Sequence, residues 1–237
     1  MPIQEVIHAE AVATYTEAHL VPAQPELDHA YSNSTAHGIP HIAISPAQGK
    51  FLSLLTTISG AKNVLELGTL GGYSGIWFSK ALKSRTAGDG PGKLTSIEID
   101  PARRGVAIQN LEYANVKVPE DVGILLGAAL DVLPRLAREI EGGKRERFDF
   151  VFIDADWENQ WNYFDWGVKL SNGKGSVIYV DNTVREMLEN GSVGPREKGP
   201  NVDSLVEKVG KDERVDATVI QTVGSKSYDG FLLAVVR

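Results

Sequence analysis

The chain has 237 residues, 24 basic against 31 acidic side chains, a formal charge of −7 and no cysteine. Domains average about 150 residues, so this length fits one full-sized domain or two small ones and is ample for a buried core. The lack of cysteine excludes a disulfide framework, a thiolate zinc site and a cysteine nucleophile, while the acidic balance argues against a nucleic-acid partner.

The N-terminal stretch holds Glu5, Glu10 and Glu17, no Arg, and no basic head before an apolar run. That is the pattern of neither a secretory signal nor a transit peptide. No apolar run approaches the ~18 residues of a spanning helix. A cytoplasmic chain with no membrane partner is the expectation.

Residues 1–44 read as an N-terminal extension, helical in patches over Glu5–Leu20 and then Pro- and His-bearing as far as Ile42. At Ser45-Pro46-Ala47-Gln48 a helix should start, with Ser as N-cap, Pro in the first turn and Gln completing a capping box. Phe51, Leu54, Leu55 and Ile58 supply its apolar spacing and Gly60 its stop. From there short apolar runs alternate with longer amphipathic ones. Strands are expected at Asn63–Leu67, Leu94–Ile99, Val122–Leu126, Phe148–Ile153 and Ser176–Val180. Helices are expected at Tyr73–Leu82, Pro101–Tyr113, Ala129–Ile140 and Asn159–Leu170. This alternation means a parallel sheet covered on both faces. The segment Arg185–Pro200, rich in charge, Gly and Pro, reads as a mobile loop. A helix at Val202–Val209 follows, then strands Ala217–Val223 and Gly230–Val236 joined through Gly224–Asp229 as an antiparallel hairpin. The expected architecture is one Rossmann-like α/β domain over residues 1–237, with residues 45–237 as its core. Its seven-stranded sheet is mostly parallel, with an antiparallel last strand and helices on both faces.

Ligands of such sheets sit beyond the carboxyl ends of the strands. The first strand runs into Glu66-Leu67-Gly68-Thr69-Leu70-Gly71-Gly72-Tyr73-Ser74, where glycines let a backbone approach a ligand and turn into the next helix. The second ends in Glu98, placed to accept both hydroxyls of a ribose. Together they point to an adenosine-bearing cofactor rather than a mere tight turn. The dinucleotide spacing G-x-G-x-x-G is not met. A carboxylate at Glu66 suits a ligand with an ammonium and a sulfonium better than a pyrophosphate, so S-adenosylmethionine fits the loop best. A nicotinamide-dependent oxidoreductase is the alternative. Its Tyr-x-x-x-Lys pattern occurs only at Tyr113–Lys117, away from the expected site.

Glu66–Ser74, Ser96-Ile-Glu-Ile-Asp-Pro101, Val151-Phe-Ile-Asp-Ala-Asp156 and Tyr179-Val-Asp-Asn182, taken in order and spacing, resemble the cation-dependent O-methyltransferases of the catechol and caffeoyl-CoA type. The resemblance covers residue 44 to the C-terminus and implies a class I methyltransferase fold. It implies that Glu66, Gly68, Ser74, Glu98, Ala129 and Asp156 surround S-adenosylmethionine, with Ile44 and Thr69 contributing through backbone. It further implies a homodimer and a small phenolic acceptor, caffeoyl or flavonoid-like.

Asp154 closes the fourth strand, and Asp181 and Asn182 close the fifth. Oxygen-only ligation selects Mg²⁺ first, or Mn²⁺ or Ca²⁺, over zinc, although Asp-Asn is also a common turn or helix-cap pair. By the resemblance the ion chelates two adjacent phenolic oxygens, acidifies one and orients it, which makes Asp154 part of the chemistry. Three residues after that first Asp the family has Lys, as base or orienting cation. This chain has Trp157. Either the metal alone acidifies the phenol, or another group takes the proton, or the protein is a weakly active or non-catalytic S-adenosylmethionine binder; the first is favoured.

Other residues have plainer readings. Trp157 and Trp161 could wall a flat substrate, whereas Trp166, Tyr163 and Phe164 read as helix packing. His37 and His41 could border the pocket but read first as surface histidines. Glu186 reads as a solvated loop acid that could face the acceptor, and Lys144–Arg147 as a solvated loop.

Overall fold

The computed structural model describes residues 8–84, 92–199, 203–223 and 228–237. Residues 5–7 of the first expected helix, Pro200, Val202 and residues 224–227 of the expected turn lie outside these.

Five short parallel strands form the middle of the sheet: β1 (Asn63–Leu67), β2 (Lys93–Glu98), β3 (Val122–Leu126), β4 (Phe150–Ile153) and β5 (Val177–Val180). Two long strands, β6 (Val215–Val223) and β7 (Tyr228–Val236), complete it in the order β3-β2-β1-β4-β5-β7-β6. Strand β7 runs antiparallel to both β5 and β6, as the hairpin reading expected. β1 and β4 are aligned at their start by Asp149, whose Oδ2 accepts the backbone N–H groups of Lys62 at 2.8 Å and Asn63 at 2.9 Å. Because successive side chains alternate faces, Phe150 and Phe152 enter one core while Val151 and Ile153 enter the other. Every residue of β1, β4 and β5 is buried, the signature of a sheet covered twice.

On one face lie α1 (Ala9–Leu20), α2 (Pro25–Ala36), α3 (Pro46–Ile58), α4 (Tyr73–Lys83) and α5 (Pro101–Tyr113), meeting the sheet through residues such as Leu27, Leu52, Phe78 and Leu111. On the other, α6 (Ala129–Glu141), α7 (Gln160–Leu170) and α9 (Leu205–Val209) bury Leu133, Leu136, Phe164 and Leu205. Ser204 and Glu207 form a reciprocal capping box at the start of α9. A single 3₁₀ turn, Trp157–Asn159, precedes α7.

Four expectations change. Helix α2 lies inside the stretch read as irregular, and its sequence PELDHAYSNSTA buries only Leu27 and Ala30. Helix α3 buries Gly49, Leu52 and Thr56, with Gly49 seating the Trp77 ring. Its helically spaced Phe51, Leu54 and Ile58 are exposed instead. The segment after β5 is not all loop, because α8 (Thr183–Glu189) occupies its start. The Lys144–Arg147 run is not simply solvated: Arg145 donates to Glu139 and Thr95, and Arg147 to the carbonyls of Lys169 and Ser171.

Candidate active site

The carboxyl ends of β1, β2, β4 and β5 open into one cavity of about 1600 Å³. Gly68, Glu98, Ala129, Asp154, Asp156 and Trp157 all line it, together with Ile44, Asp181 and Asn182. Of the residues read from the sequence as site candidates, Glu66, Thr69, Ser74, Trp161 and Glu186 do not line it.

The glycine turn is shaped by two contacts. Gly68 has φ +96°, and a Cβ there would lie 2.0 Å from the Asp154 carbonyl oxygen, so the β1 turn can touch the end of β4 only as glycine. Leu70 has φ +50° without being glycine, and its N–H is held by Glu98 Oε2 at 2.8 Å. The other Glu98 oxygen accepts from the Asp100 N–H at 3.0 Å. Two backbone donors thus fix the Glu98 carboxylate at the cavity wall, and each oxygen keeps a second lone-pair direction for a ligand hydroxyl.

Glu66 does not border this space. It is 0% exposed, with Ser74 Oγ donating to Oε1 and Ser96 Oγ to Oε2. Since the Ser96 proton is committed to Glu66, Thr69 Oγ1 is the donor in its contact with Ser96. Burial outweighs both serine bonds and pushes the Glu66 carboxyl up to about 7, with Glu98 adding like charge. Thr69 and Ser74 line a small space of about 30 Å³ that adjoins the cavity and shares Ile44, Gly68, Leu70 and Asp154 with it. Glu66, Thr69, Ser74 and Ser96 thus form one buried hydrogen-bonded group beneath the turn.

Across the cavity, β4 and β5 pair in register at Ile153 and Val180, so the residues that follow, Asp154 and Asp181, stand side by side. Burial pushes the Asp181 carboxyl up to about 6, against hydrogen bonds from the Asn182 backbone and Gln48, with Asp229 adding like charge. Asn182 sits in the left-handed region at φ +56° as the N-cap of α8. Its Nδ2 donates to Asp229 Oδ2 at 2.9 Å, which turns its Oδ1 away from Asp229. Among the described residues no three His, Cys, Asp or Glu side chains gather as a metal cluster. The oxygen set here is two aspartates and one amide, a donor chemistry that fits a hard divalent cation and not zinc.

Several residues had no motif to announce them. Gln48 is only half of a capping box: Ser45 Oγ accepts its N–H, but its side chain reaches Tyr179 Oη at 3.2 Å and Asp181. Tyr179 is fully buried, and burial plus the charges of Asp181, Asp154 and Asp229 hold its phenol well above the usual range, so it stays protonated. The apolar wall comes from far apart in the chain, with Val12 on α1, Ile42, Phe51 and Ile220. A helical wheel of residues 9–20 marks no such face.

The aromatic and acidic candidates divide. Trp157 lines the cavity and is 36% exposed, whereas Trp161 stacks on Phe164 with centroids 6.0 Å apart and does not line it. Tyr163 donates to Asp156, and Asn159 holds the other Asp156 oxygen at 2.6 Å. His41 lines the cavity and His37 bonds the Asn33 carbonyl; both are exposed. Glu186, read as an acid that could face the acceptor, points elsewhere: it takes the Asn190 amide at 2.7 Å, and burial raises its pKa. It lies on the far side of α8 from the cavity-lining Arg185.

A three-layer sheet with a glycine turn after β1, an acid after β2 and carboxylates after β4 and β5 defines the class I methyltransferase architecture. The O-methyltransferase family model matches residues 18–235, and the chain belongs to that family. It is 40% identical over 233 residues to the O-methyltransferase imqG of Aspergillus flavus, covering 96% of this chain and 90% of that one. It is 41% identical over 232 residues to a catechol O-methyltransferase of Mycobacterium tuberculosis, covering 95% of each. The O-methyltransferase of Bacillus cereus, solved with SAH, superposes with a TM-score of 0.84 at 39% identity, covering 98% of this chain and all of that one. Membership of this family sets aside the nicotinamide alternative. Among the described residues no helix is long and apolar enough to cross a membrane.

Proposed function

We propose that this O-methyltransferase uses S-adenosylmethionine and methylates one hydroxyl of a catechol-type phenol, caffeoyl or flavonoid-like, chelated by a divalent cation, Mg²⁺ in the first instance. One observation carries the reading: Gly68 and Glu98 line the same cavity as Asp154, Asp181 and Asn182. Support for the methyl donor comes from the SAH held by the Bacillus cereus relative, and for the acceptor from the catechol O-methyltransferase named among the relatives.

The residues divide the work. Glu98, pinned by Leu70 and Asp100, is preorganised to take ribose hydroxyls, and the Gly68 turn lets a donor lie against the backbone. Asp154, Asp181 and Asn182 would hold the cation. When bound, that ion lowers the pKa of a phenolic hydroxyl and fixes its oxygen. Displacement at a sulfonium methyl needs donor and acceptor held on one line, and the two walls provide the two fixed ends. In place of the family's Lys stands the apolar Trp157, while Tyr179 stays protonated and Glu186 faces away. Trp157 and Phe51 instead offer flat apolar surface to an aromatic ring.

The test compares methyl transfer to phenols with two adjacent hydroxyls against matched phenols with one. The reading predicts turnover of the first set and at least a hundredfold lower kcat/KM for the second. Equal turnover of both sets would remove chelation from the mechanism.

A further inference from the structure

We infer that Asp229, at the start of β7, is a positioning residue that sets which way the Asn182 amide faces and thereby whether the Asp154–Asp181 pair can take a cation. The inference rests on the cation reading above.

Asp229 is 15% exposed at its side chain and works as an acceptor at both oxygens. Oδ1 receives the backbone N–H of Arg185 at 3.0 Å and of Gly230 at 2.8 Å. Oδ2 receives Asn182 Nδ2 at 2.9 Å. The two backbone donors cannot move freely. Arg185 is in α8, and Gly230 is clamped where a Cβ would lie 2.3 Å from the Ile220 carbonyl oxygen and 2.5 Å from Val184 Cγ2. The carboxylate is therefore fixed from behind, and its remaining oxygen dictates the amide. With its NH₂ facing Asp229, the cavity-lining Asn182 turns Oδ1 away from Asp229; flipped, it would present two N–H donors there, which suit carboxylates and repel a cation.

This arrangement separates two substitutions that a merely structural role would not. Asp229→Asn keeps the size but has one acceptor. Two fixed backbone donors claim that oxygen, so the new NH₂ faces Asn182 and forces its amide to flip. Asp229→Ala removes the constraint and leaves Asn182 able to turn either way. The order of damage to cation binding is thus Asn worse than Ala, the reverse of what lost packing alone would give. Adding Asn182→Asp to Asp229→Asn restores an acceptor on both sides and should rescue binding.

The experiment measures Mn²⁺ binding by the electron paramagnetic resonance signal of free Mn²⁺, with melting curves confirming that each variant folds. Wild type is expected to bind, Asp229→Asn to lose 10–100-fold in affinity, the range found when partners of metal ligands are removed, Asp229→Ala to lose less, and the double variant to recover at least tenfold. Wild type that binds, with Asp229→Asn equal to it or Asp229→Ala the weaker of the two, overturns the inference alone. Wild type that binds no Mn²⁺ overturns the cation reading on which it rests.

Discussion

A Cβ placed on Gly68 would lie 2.0 Å from the carbonyl oxygen of Asp154, so the glycine turn after β1 and the end of β4 are in backbone contact. The two halves of the site are positioned by one another.

Gly68→Ala should therefore damage both. The residue would need φ +96° and a displaced β4 end, a strain on the order of 1–3 kcal/mol or more. Melting temperature should fall by about 5 °C or more, and SAH affinity by calorimetry at least tenfold. Gly105→Ala, on α5 with nothing near its Cβ, serves as control and should be neutral or slightly stabilising. Equal behaviour of the two variants would show that the Gly68 contact is dispensable.

Glu98 is expected to act through both of its oxygens. Glu98→Ala frees the Leu70 and Asp100 N–H groups and removes the ribose acceptor, and should weaken SAH binding more than tenfold. Glu98→Gln keeps one acceptor for two donors and should fall between. Unchanged binding in the alanine variant would take Glu98 out of the donor site.

Glu66 carries a pH signature of folding. Its carboxyl ionises in the unfolded chain near 4.5 and in the folded protein near 7. The folded state keeps the proton longer, so the contribution to stability is full below pH 4.5, declines as pH rises to 7 and stays lost above it. The loss is on the order of a few kcal/mol, since each pH unit between the two ionisations is worth about 1.4 kcal/mol. Glu66→Gln removes the titration, so its stability relative to wild type, measured by denaturant unfolding without ligand, should improve from pH 5 to 7 and then level off. A difference constant across that range would contradict the assignment.

Trp157 stands where the resemblance implies a lysine, so the cation alone is expected to acidify the acceptor. With methyl transfer rate-limiting, kcat should keep rising from pH 6 to 9, because an apolar Trp157 takes the place of the family's Lys base. A flat profile over that range would point to a side-chain base instead, such as the cavity-lining His41.

Much of this was legible in the sequence. The strands declared themselves as apolar runs, since burial on both faces leaves no other composition for them. Glu98, Asp154 and Asp181 were legible because each is an acid at the end of such a run. What escaped has physical reasons. Helix α2 buries only Leu27 and Ala30, too few to make a period. Helix α3 packs through Gly49 and Thr56, small residues that a hydrophobic pattern passes over, so its apolar spacing pointed at the wrong face. The full burial of Glu66 was not legible because a motif gives order along the chain and not depth, and the Ser74 and Ser96 hydroxyls that hold it come from two separate segments. Asp229 and Gln48 were silent because their roles arise only when distant segments meet.

The most direct test of the central claim is methyl transfer from S-adenosylmethionine to a catechol before and after EDTA, followed by added Mg²⁺. Activity should vanish on chelation, return with Mg²⁺, and stay absent in Asp154→Asn under either condition. Transfer that persists through EDTA and in Asp154→Asn would contradict a cation-held acceptor.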